Sequence, residues 1–122
     1  MLKQEKRRYL VDEKMAERVH DFKMALQGHD PDQIIPDQKF NFLKWFDDYV
    51  LSVEPDPYNE GATRLLLSYG EPSDYFSFFP DGKIVYYYST VSLSLSCEPR
   101  GRDFLVLWYV QDLLEHEGAW QK

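Results

Sequence analysis

Residues Phe79-Pro80-Asp81-Gly82-Lys83 restrict the fold more than any other five in the chain. Proline presets the first corner of a turn, aspartate suits the second, and glycine takes the positive φ of a type I turn with a G1 bulge. A turn this short joins neighbouring antiparallel strands. It predicts a hairpin between strands at 73–79 and 83–89. A further strand is expected over 62–70, joined through the looser turn Gly70-Glu71-Pro72-Ser73. On the other side Val91, Leu93, Leu95 and Cys97 alternate with Ser92, Ser94 and Ser96, the pattern of a strand with one buried and one wet face. The apolar positions fall on even numbers at Ile84, Tyr86 and Tyr88 and on odd numbers from Val91, which places a tight turn or bulge at Ser89-Thr90. Side chains alternate faces along a strand, so Tyr86, Tyr87 and Tyr88 cannot all point inward.

The flanks read as helices. Val11, Met15, Val19, Phe22 and Leu26 recur at steps of three and four, one stripe of an amphipathic helix over 4–27 that stops at Gly28. A second helix is expected to open at Pro36-Asp37, with Asp37 as N-cap, and to run to about Val53 before Pro55. Its apolar side is wide: Leu43, Phe46, Val50 and Val53 form one stripe, and Phe42, Trp45 and Tyr49 a second. Such a helix is either wedged between the sheet and the first helix or keeps its aromatic edge for a partner. Asp103 is expected to cap a third helix through Glu117, with Val106, Leu107, Val110, Leu113 and Leu114 facing inward. The expected fold is a single two-layer α+β domain over 1–122: a four-stranded antiparallel meander packed against three helices, in the order α-α-β-β-β-β-α.

Charge is distributed unevenly. The formal total is −7, but residues 29–81 hold eleven acidic and three basic side chains, whereas residues 1–28 are net positive. Direct binding to nucleic acid rests on Lys and Arg neutralising phosphate, so an acidic block argues against it and for a protein partner with a basic surface. Aromatic residues are 16% of the chain, and they supply interface anchors as well as core. The single cysteine, Cys97, allows no intrachain disulfide and fits a reducing compartment. The charged start Met-Leu-Lys-Gln-Glu-Lys-Arg-Arg lacks a following apolar run, so no signal peptide is expected. With no apolar stretch of membrane-spanning length, the expected location is the cytoplasm.

No catalytic or metal-binding motif stands out. His29-Asp30-Pro31-Asp32 reads as an Asx-type turn, and Glu115-His116-Glu117 lacks the second histidine that a zinc-protease helix needs. The serine triplet in the last strand has no base beside it, and Cys97 continues the buried face as a core thiol. Lys3, Lys6, Arg7 and Arg8 form a basic cluster at the chain end, read as a solvated turn. No cofactor, no metal and no enzymatic activity are expected.

The stretch from Leu65 to Tyr88, Leu-Leu-Leu-Ser-Tyr-Gly-Glu-Pro-Ser-Asp-Tyr-Phe-Ser-Phe-Phe followed by Pro-Asp-Gly-Lys-Ile-Val-Tyr-Tyr-Tyr, resembles a group of small proteins of phages, plasmids and integrated mobile elements. They share an LLLS-x-GGP-x-D-x-F-x-F hairpin and an aromatic strand after it. Here Glu71 stands in place of a second glycine, and Ser89-Thr-Val-Ser-Leu follows where the group runs into Trp-Phe-Asp-Gly-Ala. The resemblance implies a mobile-element setting, where small acidic proteins act as inhibitors of host defence nucleases, including anti-CRISPR and anti-restriction types that mimic DNA. The residues expected to carry such binding are the anchors Trp45, Tyr49, Tyr58, Tyr75 and Tyr87 and the acids Asp47, Asp48, Glu54, Asp56, Glu60, Glu71 and Asp74. The target would be a Cas effector or another nuclease. The same features also suit an immunity or antitoxin protein that neutralises a toxin, or a binding module for another target.

Overall fold

The turn at 79–83 forms as its chemistry requires. Phe79 N–H donates to Lys83 O at 2.8 Å, Gly82 N–H to Phe79 O at 3.0 Å, and Lys83 N–H to Asp81 Oδ1 at 3.0 Å. Gly82 sits at φ +93°, a conformation that side-chain-bearing residues rarely adopt. Around this hairpin the computed structural model places three helices and five strands; it describes residues 2–32 and 39–120, with side chains described from residue 8 onward. The elements are α1 (Leu2–Leu26), α2 (Phe42–Tyr49), β1 (Ser52–Pro55), β2 (Thr63–Ser68), β3 (Ser73–Phe78), β4 (Ile84–Ser89), β5 (Ser94–Cys97) and α3 (Arg102–His116). The strands form one antiparallel sheet in the order β1-β2-β3-β4-β5.

The α+β class stands, with two corrections to its parts. The sheet has five strands rather than four, so the order is α-α-β-β-β-β-β-α. The extra strand, β1, takes the expected end of the second helix, Ser52 and Val53, together with Glu54 and Pro55 after it. The helix ends at Tyr49; Val53 and Glu54 pair with Leu65 and Arg64 of β2. The cap is also different: Asn41 precedes the first helical turn and its side chain accepts from Lys44 N–H at 3.1 Å. Pro36 and Asp37 lie outside the described residues, as do the side chains of Lys3, Lys6 and Arg7.

One sheet face and the helices enclose the core. Leu65, Leu67, Phe76, Phe78, Ile84, Tyr86 and Tyr88 of the sheet meet Val11, Met15, Val19 and Phe22 of α1, Phe46 and Val50 from α2 and its C-cap, and Leu107, Val110 and Leu114 of α3. Phe22 is fully buried and joins the layers, with ring contacts to Trp45, Phe46 and Tyr49 near α2 and to Phe76 in β3. The second aromatic stripe of α2 is thus spent largely inside the molecule. Tyr86 and Tyr88 point into the core and Tyr87 points to the other face. The first part of the alternating run leaves the strand: β5 begins only at Ser94, and Val91, 92% exposed, lies in the β4–β5 turn that Thr90 N–H closes onto Leu93 O. Asp103 sits within the first turn of α3, while Gly101 occupies the N-cap and supplies no side-chain cap. Leu105, Trp108 and Tyr109 face outward on that helix.

Candidate functional site

Two polar centres lie on opposite faces of the sheet. The first is inside. Asp74 of β3 is only 3% exposed, and its carboxylate receives four hydrogen bonds. Arg18 donates through Nε at 2.8 Å and Nη2 at 3.0 Å, Tyr86 through its hydroxyl at 2.6 Å, and Ser68 through Oγ. The bulge in β2 makes the last of these possible, because the register shift between Leu66 and Ser68 sets Ser68 opposite Asp74. Arg18 also donates to the Tyr49 hydroxyl at 2.9 Å, which in turn donates to Asp21 at 2.6 Å. Burial opposes the Arg18 charge, but its bonds to Asp74 and Tyr49 outweigh that and hold its pKa above the ordinary value. Burial, then donation to Asp74, pushes the Tyr86 hydroxyl upward; burial and Asp21 do the same to Tyr49. A carboxylate has about four acceptor positions. Those of Asp74 are all taken, so this centre fastens α1 to the sheet. Beside it a cavity of about 390 Å³ is lined by Lys14, Glu17, His20, Asp21 and Ser68 among others.

The second centre lies on the sheet face away from the core. By register Glu54, Arg64, Tyr75, Ser77, Val85 and Tyr87 share this face. Tyr75 and Tyr87 are cross-strand partners and their rings stack, with centroids 5.0 Å apart. The Arg64 guanidinium lies 5.2 Å from the Tyr75 ring centre and donates to Glu54 at 2.9 Å. Among the described residues Arg64 Nε is buried without a hydrogen-bond partner. The loop after β1 folds over one end of this face. Asp56, 7% exposed, accepts from Ser77 Oγ, from Asn59 Nδ2 at 2.9 Å and from Tyr58 N–H at 2.8 Å. Burial raises the cost of its charge, but these donors and Arg64 hold its carboxyl below the usual range. Ser52 chiefly, then Arg64, lowers Glu54 in the same way. Burial, followed by the Asp56 carboxylate, pushes Tyr75 up to about 12.

The twelve residues expected to form one acidic, aromatic face are therefore divided. Glu54, Asp56, Tyr75 and Tyr87 come together on the outer face. Tyr58, 77% exposed, and Glu60, also exposed, stand on the loop above it. Trp45 and Tyr49 stack on each other at 4.5 Å and pack edge-on against Phe22, in the helical layer. Asp47 and Asp48 are exposed on α2. Glu71 is exposed in the β2–β3 turn, where both its oxygens accept from Val91 N–H, at 3.0 and 2.8 Å. Asp56 and Asp74 are buried and satisfied and contribute no free surface charge. Arg18, Arg64 and Asn59, which organise the two centres, were missed. The partners of Arg18 are distant in sequence and Glu54 faces Arg64 across the sheet, so no local motif marks either arginine, whereas Asn59 bonds Asp56 only three residues before it in the same loop.

Cys97 is half-buried at the core edge rather than fully inside it, beside Met15 Sδ at 3.6 Å, and burial followed by Asp12 raises its thiol to about 12. The Asx turn stands, with Asp32 N–H donating to Asp30 Oδ1 at 2.9 Å. Among the described residues no three His, Cys, Asp or Glu side chains converge as a metal site, and no helix is long and apolar enough to cross a membrane. Set against family models, curated proteins and solved structures, the chain matches none.

Proposed function

We propose that this chain is a non-enzymatic protein-binding module, and that it acts as a mobile-element inhibitor of a host defence nuclease such as a Cas effector. The reading is supported chiefly by the outer sheet face. Its side chains lie outside the core cluster, yet it carries a stacked tyrosine pair with Arg64 against one ring. Rigid, amphipathic aromatic side chains of this kind are the usual anchors of protein interfaces. Tyr58 and Glu60 on the adjoining loop extend the face, and the acidic excess of residues 29–81 suits a basic nucleic-acid channel on the target. The binding surface in this proposal is narrower than the twelve-residue set: Glu54, Tyr58, Glu60, Tyr75 and Tyr87.

The test is inhibition, not capture alone. The tagged chain is used to pull down partners from nuclease-treated lysate of the organism of origin, with elution by rising salt, and any nuclease recovered is assayed for DNA cleavage. Stoichiometric inhibition that weakens with salt is expected. Tyr75→Ser with Tyr58→Ser should weaken it about thirtyfold, the loss of an anchor worth about 2 kcal/mol. A thermal melt of the variant distinguishes lost binding from lost folding. Recovery of a small toxin instead of a nuclease would replace this reading with the immunity class.

A further inference from the structure

α3 is apolar on two opposite sides. At about 3.6 residues per turn, Leu107, Val110 and Leu114 share one side, and all three are fully buried in the core. Leu105, Trp108 and Tyr109 lie on the other, and they are 54%, 46% and 56% exposed. The rings of Trp108 and Tyr109 meet edge to face with centroids 5.3 Å apart, so the residues form one patch. A surface helix ordinarily keeps charged or polar side chains there. Half-exposed, these three offer roughly 300 Å² of apolar surface, the size at which a patch on a single chain is often functional. A shallow groove of about 450 Å³ continues the patch, lined by Tyr109, Asp112, Leu113 and His116 and by Leu26 at the end of α1.

The charges at the two ends of this stripe point to what covers it. Arg102 stands at the N-terminal end, exposed, and among the described residues no ion pair engages it. Its neighbour Asp103 lies round on the inward side, where it lines a cavity with Lys83 and Arg100. Asp112 and the exposed Glu115 stand at the C-terminal end, and Asp112 has a long contact to the exposed His116, at 3.7 Å. A stripe that runs basic, apolar, acidic is complementary to its own reverse. Two copies laid antiparallel about a two-fold axis at the level of Leu107 set Leu105 against Tyr109 and Arg102 against Asp112, and each contact occurs twice. Leu105 of the second copy then also reaches the groove beside Tyr109. Parallel packing would instead set like charges together.

We infer that the outer side of α3 is a homodimer interface, in which two copies of the chain pack antiparallel through Leu105, Trp108 and Tyr109. The inference goes beyond the nuclease reading and does not rest on it. The stacked Tyr75 and Tyr87 lie on the sheet face away from the helical layer, so both copies of that face stay uncovered in the dimer. A pair of such faces in one particle binds a repeated target more tightly than one face alone. The interface is small for a specific one, and a dissociation constant on the order of 100 µM is expected.

Sedimentation equilibrium of the full chain, from about 5 to about 500 µM, tests this. A monomer–dimer equilibrium is expected. Trp108→Glu should weaken it about tenfold or more, with a thermal melt to check that the variant folds. Arg102→Glu and Asp112→Arg should each weaken it about fivefold, and the two together should restore it, because exchanging the charges is neutral only if these residues face each other. An acid at the start of a helix and a cation near its end both suit the helix dipole, so this pair of variants does not depend on a substitution that threatens the fold. Tyr75→Ser should change dimerisation less than about twofold, which separates this result from the nuclease assay. A chain that stays monomeric at the highest concentration, a dimer indifferent to Trp108→Glu, or a double exchange no better than either single variant would overturn the inference. So would a monomeric chain that captures another protein from lysate and loses it in Trp108→Glu, since the face would then serve that protein.

Discussion

Among the described residues two aspartates are buried, one on each side of the sheet, and different kinds of partner hold them. Asp74 on the core side is bound by Arg18, which lies 56 residues away on α1, and by the hydroxyls of Tyr86 and Ser68. Asp56 on the outer side is bound mostly by its own loop, through Asn59 Nδ2 and Tyr58 N–H, and by Ser77. The first joins two layers and meets a full opposite charge. The second shapes a loop and meets mainly neutral donors, with Arg64 contributing by proximity. A carboxylate facing a buried cation is costly to remove alone, because the cation stays behind unpaired. A carboxylate facing neutral donors leaves them with the lesser cost of unmet hydrogen bonds. The two faces should therefore respond unequally to the same kind of substitution.

The largest effect is expected at Asp74. Asp74→Ala leaves Arg18, Tyr86 and Ser68 without their acceptor and should cost about 3–5 kcal/mol. Replacing both members of the pair, Arg18→Met with Asp74→Leu, should recover most of that loss, since apolar residues of similar volume often substitute well for a buried ion pair. Urea unfolding midpoints measure both. If Asp74→Ala costs less than Asp56→Ala, the proposed difference between the faces is wrong.

The hairpin and the outer centre show why some of this was legible in the sequence and some was not. Pro80-Asp81-Gly82 dictates local backbone geometry, so its turn needs no distant partner and was read correctly, with the strands on either side. The stripe of α1 was legible for the same reason: its period is a local property. β1 was missed because Val50 and Val53 continue the helical spacing of Leu43 and Phe46, and four residues are too few to distinguish strand from helix by periodicity. What makes Ser52–Pro55 a strand is the β2 edge beside it. The acidic block was read as a surface because carboxylates are seldom fully buried. Asp56 has two donors in its own loop, but Ser77 reaches it, and Arg18 and Tyr86 reach Asp74, only through the tertiary fold. The outer tyrosines fall between these cases. Alternation placed Tyr87 on the face opposite Tyr86, but the stack with Tyr75 depends on register.

A middle-sized effect is expected at Asp56, and pH sharpens it. Asp56→Asn keeps the shape but replaces one acceptor oxygen by a donor, and should cost about 1–3 kcal/mol. The folded protein holds this carboxyl below its usual range, whereas the unfolded chain takes up a proton near pH 4. Its contribution is therefore fully present above about pH 4 and is lost as pH falls below that, through the folded pKa. The wild type should lose stability on this acid limb more steeply than Asp56→Asn. Thermal midpoints between neutral pH and about pH 3 test this. Parallel acid limbs would mean that the Asp56 charge contributes nothing.

The smallest expected effect, at Tyr87, belongs to the finest comparison, which sets it against its neighbour on the same strand. Tyr86 and Tyr87 differ only in which way they point. The Tyr86 hydroxyl is buried and donates to a carboxylate at 2.6 Å; the Tyr87 hydroxyl accepts from Asn59 at 3.4 Å, at the long end of hydrogen bonding. Tyr86→Phe should cost about 1.5–3 kcal/mol, the range for a hydrogen bond to a charged group. Tyr87→Phe should cost under about 0.5 kcal/mol, because the ring and its stack on Tyr75 remain and only a weak bond is lost. Alkali adds an independent check. With its pKa raised by burial and by Asp74, the Tyr86 hydroxyl stays protonated in the folded chain beyond the ordinary tyrosine value near 10. Tyr86 therefore contributes stability that is complete below about pH 10 and is lost as pH rises above it. In Tyr86→Phe that alkaline loss should shrink, and in Tyr87→Phe it should remain. Equal costs and equal alkaline limbs for the two variants would show that the faces are energetically alike, and that the outer tyrosines belong to the fold as much as to any interface.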